Sequence, residues 1–245
     1  MIARRRTVLF RCVAASALIG ATAWGLQATV TTRQGVNYTV SSHAIPLSVK
    51  VLDFLQRDAH YHLLAQRITA GVRSDEQRAL AVFAWTREHL RRTPAGWPIV
   101  DDHVWHIIIR GYGLEDQMAD VFCTLATYAG VSAFWVFVRD VADRPGLVLS
   151  FAEIDGAWRV FDVAQGVVFK DARGRLVDVE TLLATPTVLQ DPVGASYTAY
   201  FERLRPFTVQ DPLRAEQQMA WPRLVFELRR AFHLTKKASA AVVPP

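Results

Sequence analysis

The clearest pattern in the chain lies between Glu115 and Gly130. At 100° per residue, Met118, Ala119, Phe122, Leu125, Ala126 and Ala129 fall in one apolar arc, with Asp116, Gln117, Asp120, Thr124 and Thr127 opposite. That spacing predicts an amphipathic helix over 115–129, closed by Gly130. Glu115 projects from the middle of the apolar arc in the first turn, an odd place for a carboxylate. Upstream, Pro46 opens a helix through Gln56, a second is predicted over 60–70 before Gly71, and Ser74 with Gln77 forms a capping-box pattern leading to about Leu90. Pro94, Gly96 and Pro98 mark a loop, after which Asp101 or Asp102 caps a short helix through Ile109.

Beyond Gly130 the character changes to β-branched and aromatic runs. Strands are predicted over 132–139, 146–154 and 158–162, with Asp155-Gly156 as a hairpin turn, and shorter ones over 167–170 and 175–177. Helices return after Asp178, near 195–204, and over 221–234. N-terminal helices followed by consecutive antiparallel strands predict an α+β domain over 46–210.

The two ends carry most of the positive charge. Arg4, Arg5 and Arg6 precede residues 13–30, 18 residues without a charge, at the low end of the roughly 17–25 needed to span a bilayer. Ala21-Thr22-Ala23 also fits a signal-peptidase site. Residues 1–30 therefore read as a signal anchor or signal peptide with its arginines in the cytoplasm. This predicts a membrane-anchored protein whose domain faces the periplasm or cell exterior, joined through a polar spacer over 31–45. At the other end, residues 211–245 form a helix and tail. Trp221, Leu224, Val225, Leu228 and Phe232 share one arc there, and Arg223, Arg229, Arg230, His233, Lys236 and Lys237 fill the rest. Such a helix docks on its own domain, or meets an anionic membrane or acidic partner.

The chain has 245 residues and a formal charge of +5, but its middle is close to neutral. No basic stripe is interleaved with aromatics, which excludes a nucleic-acid partner. The two cysteines, Cys12 and Cys123, build neither a disulfide framework nor a zinc site. Asp101, Asp102, His103 and His106 alone have the flavour of metal ligands but want a third firm donor, so they read as a helix cap and cleft lining. No cofactor is expected. Trp97 and Trp105 supply cleft walls or core packing, and Ser150 lacks the sequence context of a hydrolase serine.

Several short motifs in order give the chain a family likeness. Gly111-Tyr112-Gly113-Leu114-Glu115-Asp116-Gln117 is followed by the apolar helix and then Ala129-Gly130-Val131. Gly146-Leu147 leads through a strand to Asp155-Gly156-Ala157-Trp158 and Arg159-Val160-Phe161-Asp162, and Val82 to Glu88 precedes them all. Over roughly residues 75–170 this resembles the bacterial branch of the transglutaminase-like superfamily, with its papain-like fold. The resemblance implies a Cys-His-Asp triad whose positions are Glu115, Leu147 and Asp162. A glutamate at a helix N-terminus is a poor nucleophile toward an amide, and leucine neither accepts nor returns a proton. Cys123 is no substitute, since it lies about 12 Å further along the helix. The expectation is a catalytically inactive protein with a binding or scaffolding role at the bacterial cell envelope. Its cleft would take a protein, peptide or glycan ligand near Glu115, Asp116, His103 and Trp105. The alternative is a hydrolase that reuses the cleft with Glu115 and Asp116 and draws on His103.

Overall fold

A computed structural model describes residues 16, 20, 22–101, 103–139, 146–185, 192–210 and 213–240. The chain opens with β1 (Thr29–Val36) and β2 (Thr39–Pro46), followed by α1 (Leu47–Ile68) and α2 (Asp75–His89). Two short strands, β3 (Arg91–Arg92) and β4 (Val100–Asp101), lead to α3 (Val104–Arg110), β5 (Tyr112–Gly113) and α4 (Glu115–Tyr128). The main sheet is β6 (Ala133–Val138), β7 (Leu147–Ile154), β8 (Ala157–Asp162) and β9 (Val167–Val168), antiparallel in that order. Then come α5 (Val179–Ala184), α6 (Pro192–Arg203) and α7 (Ala220–Ala240). The helices-then-sheet order is that of the predicted α+β class.

Local signals hold where they satisfy backbone groups directly. The Ser74 hydroxyl accepts from the Gln77 amide at 3.2 Å and starts α2. Asp155 and Gly156 both take positive φ and turn β7 into β8. Asp178 caps α5 by accepting from Thr181 N at 2.7 Å.

Three expectations change. The proposed spacer over 31–45 lies almost wholly within the β1–β2 hairpin, turned at Asn37 and Tyr38 with φ of 48° and 65°. Both faces of this ribbon are largely exposed, so its strands show no alternation for the sequence to betray. The two helices expected before Gly71 are one, α1. Arg57 and Asp58, which look like a break, are satisfied by other elements. Arg57 is buried and pairs with Asp53 one turn back, and Asp58 accepts from the Tyr128 hydroxyl at 2.6 Å. The short helix begins after His103, with no side-chain cap; Asp102 lies outside the described residues.

Helix α4 sits at the centre. Met118, Phe122 and Leu125 pack with Ala152, Ile154 and Phe161 of the sheet, while α1, α2 and α3 cover other sides. Its expected polar side is enclosed too: Gln117, Thr124 and Thr127 are buried. The opposite face of the sheet carries Phe134, Leu149, Phe151 and Val160 against Phe169, Tyr197 and Phe201.

The predicted membrane segment lies mostly outside the described residues. Its end does not: Thr29 and Val30 belong to β1, and the helical stretch before it stops at Leu26. Among the described residues no helix is long and apolar enough to cross a membrane.

Candidate functional site

The site is built at the N-terminus of α4. Gly111 ends α3 in the left-handed conformation, φ 73°, which glycine adopts without strain. Gly113 has no room for a side chain, because a Cβ there would lie 3.0 Å from the Gln117 side chain and 3.3 Å from Ile107. Gln117 explains that close approach. Its Oε1 accepts from Leu114 N at 3.1 Å and its Nε2 donates to Val100 O at 2.6 Å. The glycine pair and the glutamine of the motif are therefore structural, holding the first turn of the helix in place.

Glu115 begins the helix, as predicted, and forms an ion pair with Arg92. Parallel pairing of β3 with β5 sets Arg92 against Gly113, two residues before Glu115. Asp162 is fully buried. Its Oδ1 accepts from Gln165 N at 2.9 Å and its Oδ2 from the Tyr197 hydroxyl at 2.8 Å. Burial pushes the Asp162 carboxyl above the ordinary carboxylate value, against the lowering by Gln165 N, Tyr197 and the Arg92 charge. Burial first, then the negative charge of Asp162, push the Tyr197 phenol up, and Glu115 adds to the same effect. Arg92, the partner of Glu115, also lowers the Asp162 pKa through its charge, so one cation acts on both acids.

The imidazole position of the motif falls on Leu147, the first residue of β7. β7 and β8 pair Ser150 with Phe161, and continuing that register by one residue sets Leu149, not Leu147, opposite Asp162. Leu147 lies two residues earlier, paired with Val138, and packs with the same apolar cluster as Tyr197. Both leucines are buried, so neither position offers a proton acceptor.

The other candidates are not gathered here by any described contact. Asp116 Oδ1 accepts from Gln117 N at 2.9 Å within the first turn of α4. Trp105 packs edge-on to Tyr61 and against His60 of α1. His103 lies exposed before α3, its ring 5.9 Å from that of His106. Among the described residues no group of three His, Cys, Asp or Glu side chains could hold a metal ion. Cys123 is buried within α4, and burial, then the Asp120 charge, push its thiol well above the ordinary value.

Arg92 and Tyr197 are the members that sequence reasoning missed. Arg92 stands in an undistinguished Arg-Arg pair, and its role depends on a two-residue parallel strand. Tyr197 comes from a helix 35 residues beyond Asp162, with no motif around it.

A helix N-terminus set against an antiparallel sheet that presents a buried aspartate is a mixed α+β arrangement. Residues 63–165 match the family model described as the transglutaminase-like superfamily. No curated protein matches the sequence. Among solved structures, one from Cytophaga hutchinsonii, provisionally assigned as a cysteine protease, is 16% identical over 53% of this chain and 45% of its own, with a TM-score of 0.39. A transglutaminase is 14% identical over 58% and 45%, with a TM-score of 0.37. The chain spans less than half the length of each.

Proposed function

We propose that this transglutaminase-like domain is non-catalytic and serves a binding or scaffolding role at the bacterial cell envelope, through the cleft at the start of α4. One observation carries the reading: the nucleophile position holds Glu115, engaged by Arg92, while the buried Asp162 is engaged by the Tyr197 hydroxyl. A cysteine mechanism needs a thiolate whose pKa is lowered and an imidazole to move its proton. The one thiol in the domain, Cys123, is buried and its pKa is raised. What the cleft keeps is a partly exposed ion pair between a carboxylate and a guanidinium. Such a pair suits a ligand carrying both an anionic and a cationic or hydrogen-bonding group, as peptides and amino-substituted glycans do.

The test is a substrate screen with purified protein on peptide, amide and glycan substrates, beside the Glu115→Gln variant. No turnover is expected from either, and ligand binding changes only in the variant. Turnover in the unmodified protein that disappears in Glu115→Gln would overturn this reading and establish a hydrolase built on carboxylates.

A further inference from the structure

The C-terminal helix does not bury its apolar arc. Trp221 is 73% exposed, Leu224 49% and Leu228 50%, one above the other along α7. A second exposed apolar row runs along α1 through Leu52, Leu55 and Leu63, at 67%, 47% and 63%. The helices are neighbours: the Ala220 amide donates to Asp58 of α1 at 3.2 Å. Exposed apolar rows of this kind, unlike singly scattered residues, mark interaction surfaces.

The acids of the two helices are paired, and the helices carry more cations than acids. The two acids of α1 are engaged elsewhere, Asp53 by Arg57 and Asp58 by Tyr128. The one acid of α7, Glu227, lies between Arg223 and Arg230, and Arg229 stands exposed beside them. The point where the chain enters the domain lies at the same helix. Leu47 N, which opens α1, donates to Ala28 O at 2.8 Å, Lys50 reaches Thr31 O at 3.0 Å, and Trp24 is 82% exposed. Ahead of that point, the 15 residues 12–26 are uncharged. A helix of that length reaches about 22 Å, short of the roughly 30 Å hydrocarbon core. A bilayer that takes up this segment therefore comes close to Trp24 and the first turns of α1.

We infer that the exposed rows of α1 and α7 form a docking face for an anionic lipid surface, with Leu52, Leu55, Trp221 and Leu228 entering the headgroup boundary and Arg229 and Arg230 meeting lipid phosphates. This inference does not depend on the state of the cleft. It turns the domain from a freely tethered body into one seated on the membrane.

The test uses the full chain in lipid nanodiscs. In a Cys12→Ser background, with Cys123 buried, Leu55→Cys or Leu228→Cys is labelled with an environment-sensitive NBD dye, and Arg173→Cys in the exposed 171–175 turn serves as control. In discs of phosphatidylethanolamine and phosphatidylglycerol, both helix labels should blue-shift, brighten and be quenched by brominated lipid, and the control should not. In phosphatidylcholine discs the shift should be weaker. Removing Arg229 and Arg230 as alanines should lower the docked-to-undocked ratio about fivefold per charge. Labels that stay in a watery environment while the protein is held in anionic discs would overturn the proposal. So would a shift that needs no lipid and grows with protein concentration, which would make the face an interface between two copies.

Discussion

Replacing Tyr197 by Phe isolates one atom of the site. The ring contacts with Phe169, at 4.9 Å between centroids, and with Phe201 are kept, while the donor 2.8 Å from Asp162 Oδ2 is lost. A hydrogen bond to a charged group is worth about 1.5–3 kcal/mol, and here the acceptor is fully buried, so the upper half of that range applies once the carboxyl is ionised. The pH dependence gives the sharper test. The folded pKa of Asp162 is raised, so its contribution to stability is fully present below the ordinary carboxylate pKa and is lost as pH rises through the raised value. Taking away the Tyr197 donor raises that value further. The deficit of Tyr197→Phe should therefore be small in acid, grow as pH rises through the two folded values, and level off above them. Urea unfolding of both proteins at matched pH values, with unchanged m, measures it. A deficit that stays under about 0.5 kcal/mol across the whole pH range, or one that is larger in acid, would refute the claim that the hydroxyl supports a buried carboxylate.

Glu115→Gln removes an ion pair whose partners are 34% and 51% exposed and a charge at a helix N-terminus, so the loss should stay near or below about 1 kcal/mol and shrink in high salt, as thermal unfolding across a salt series would record. Glu115→Cys combined with Leu147→His, which restores the residue types the motif implies beside Asp162, should give a thiol that iodoacetamide labels faster and at lower pH than in Glu115→Cys alone. Equal rates in the two variants would show that an imidazole at residue 147 does not act on the new thiol. Ser74→Ala should cost about 1 kcal/mol of stability through loss of the α2 cap, read by chemical denaturation.

The sequence made the middle of this domain legible because its signals there are local. Ser74 and Asp178 caps, the Asp155-Gly156 turn and the 3.6-residue period of α4 each satisfy a nearby backbone group or one continuous core. The failures are tertiary. Arg57 and Asp58 look like a helix break until Asp53, Tyr128 and Ala220 take up their polar atoms. The β1–β2 ribbon has no buried face to impose alternation. At the site, the identity of the helix-starting residue was readable from the motif. The histidine position was readable only from the motif, because Leu147 and Leu149 lie on one face of β7 and alternation alone does not choose between them. Arg92 and Tyr197 could not be found from a chain in which partners 23 and 35 residues away leave no periodic trace.

The β1–β2 hairpin ties the entry of the chain to the cleft by a short mechanical route. Val36 pairs with Val100, and Asn37 holds Ile99 through two hydrogen bonds, 2.8 Å from its amide to Ile99 O and 2.9 Å from Ile99 N to its side chain. Val100 O is in turn the acceptor for Gln117 Nε2 and for Arg110 Nη2, the latter at 2.9 Å. A load applied ahead of Thr29 is thus carried across the ribbon into the first turn of α4, where Glu115 meets Arg92. Loosening Asn37 would therefore loosen the support of Gln117, and with it the helix turn that carries Glu115.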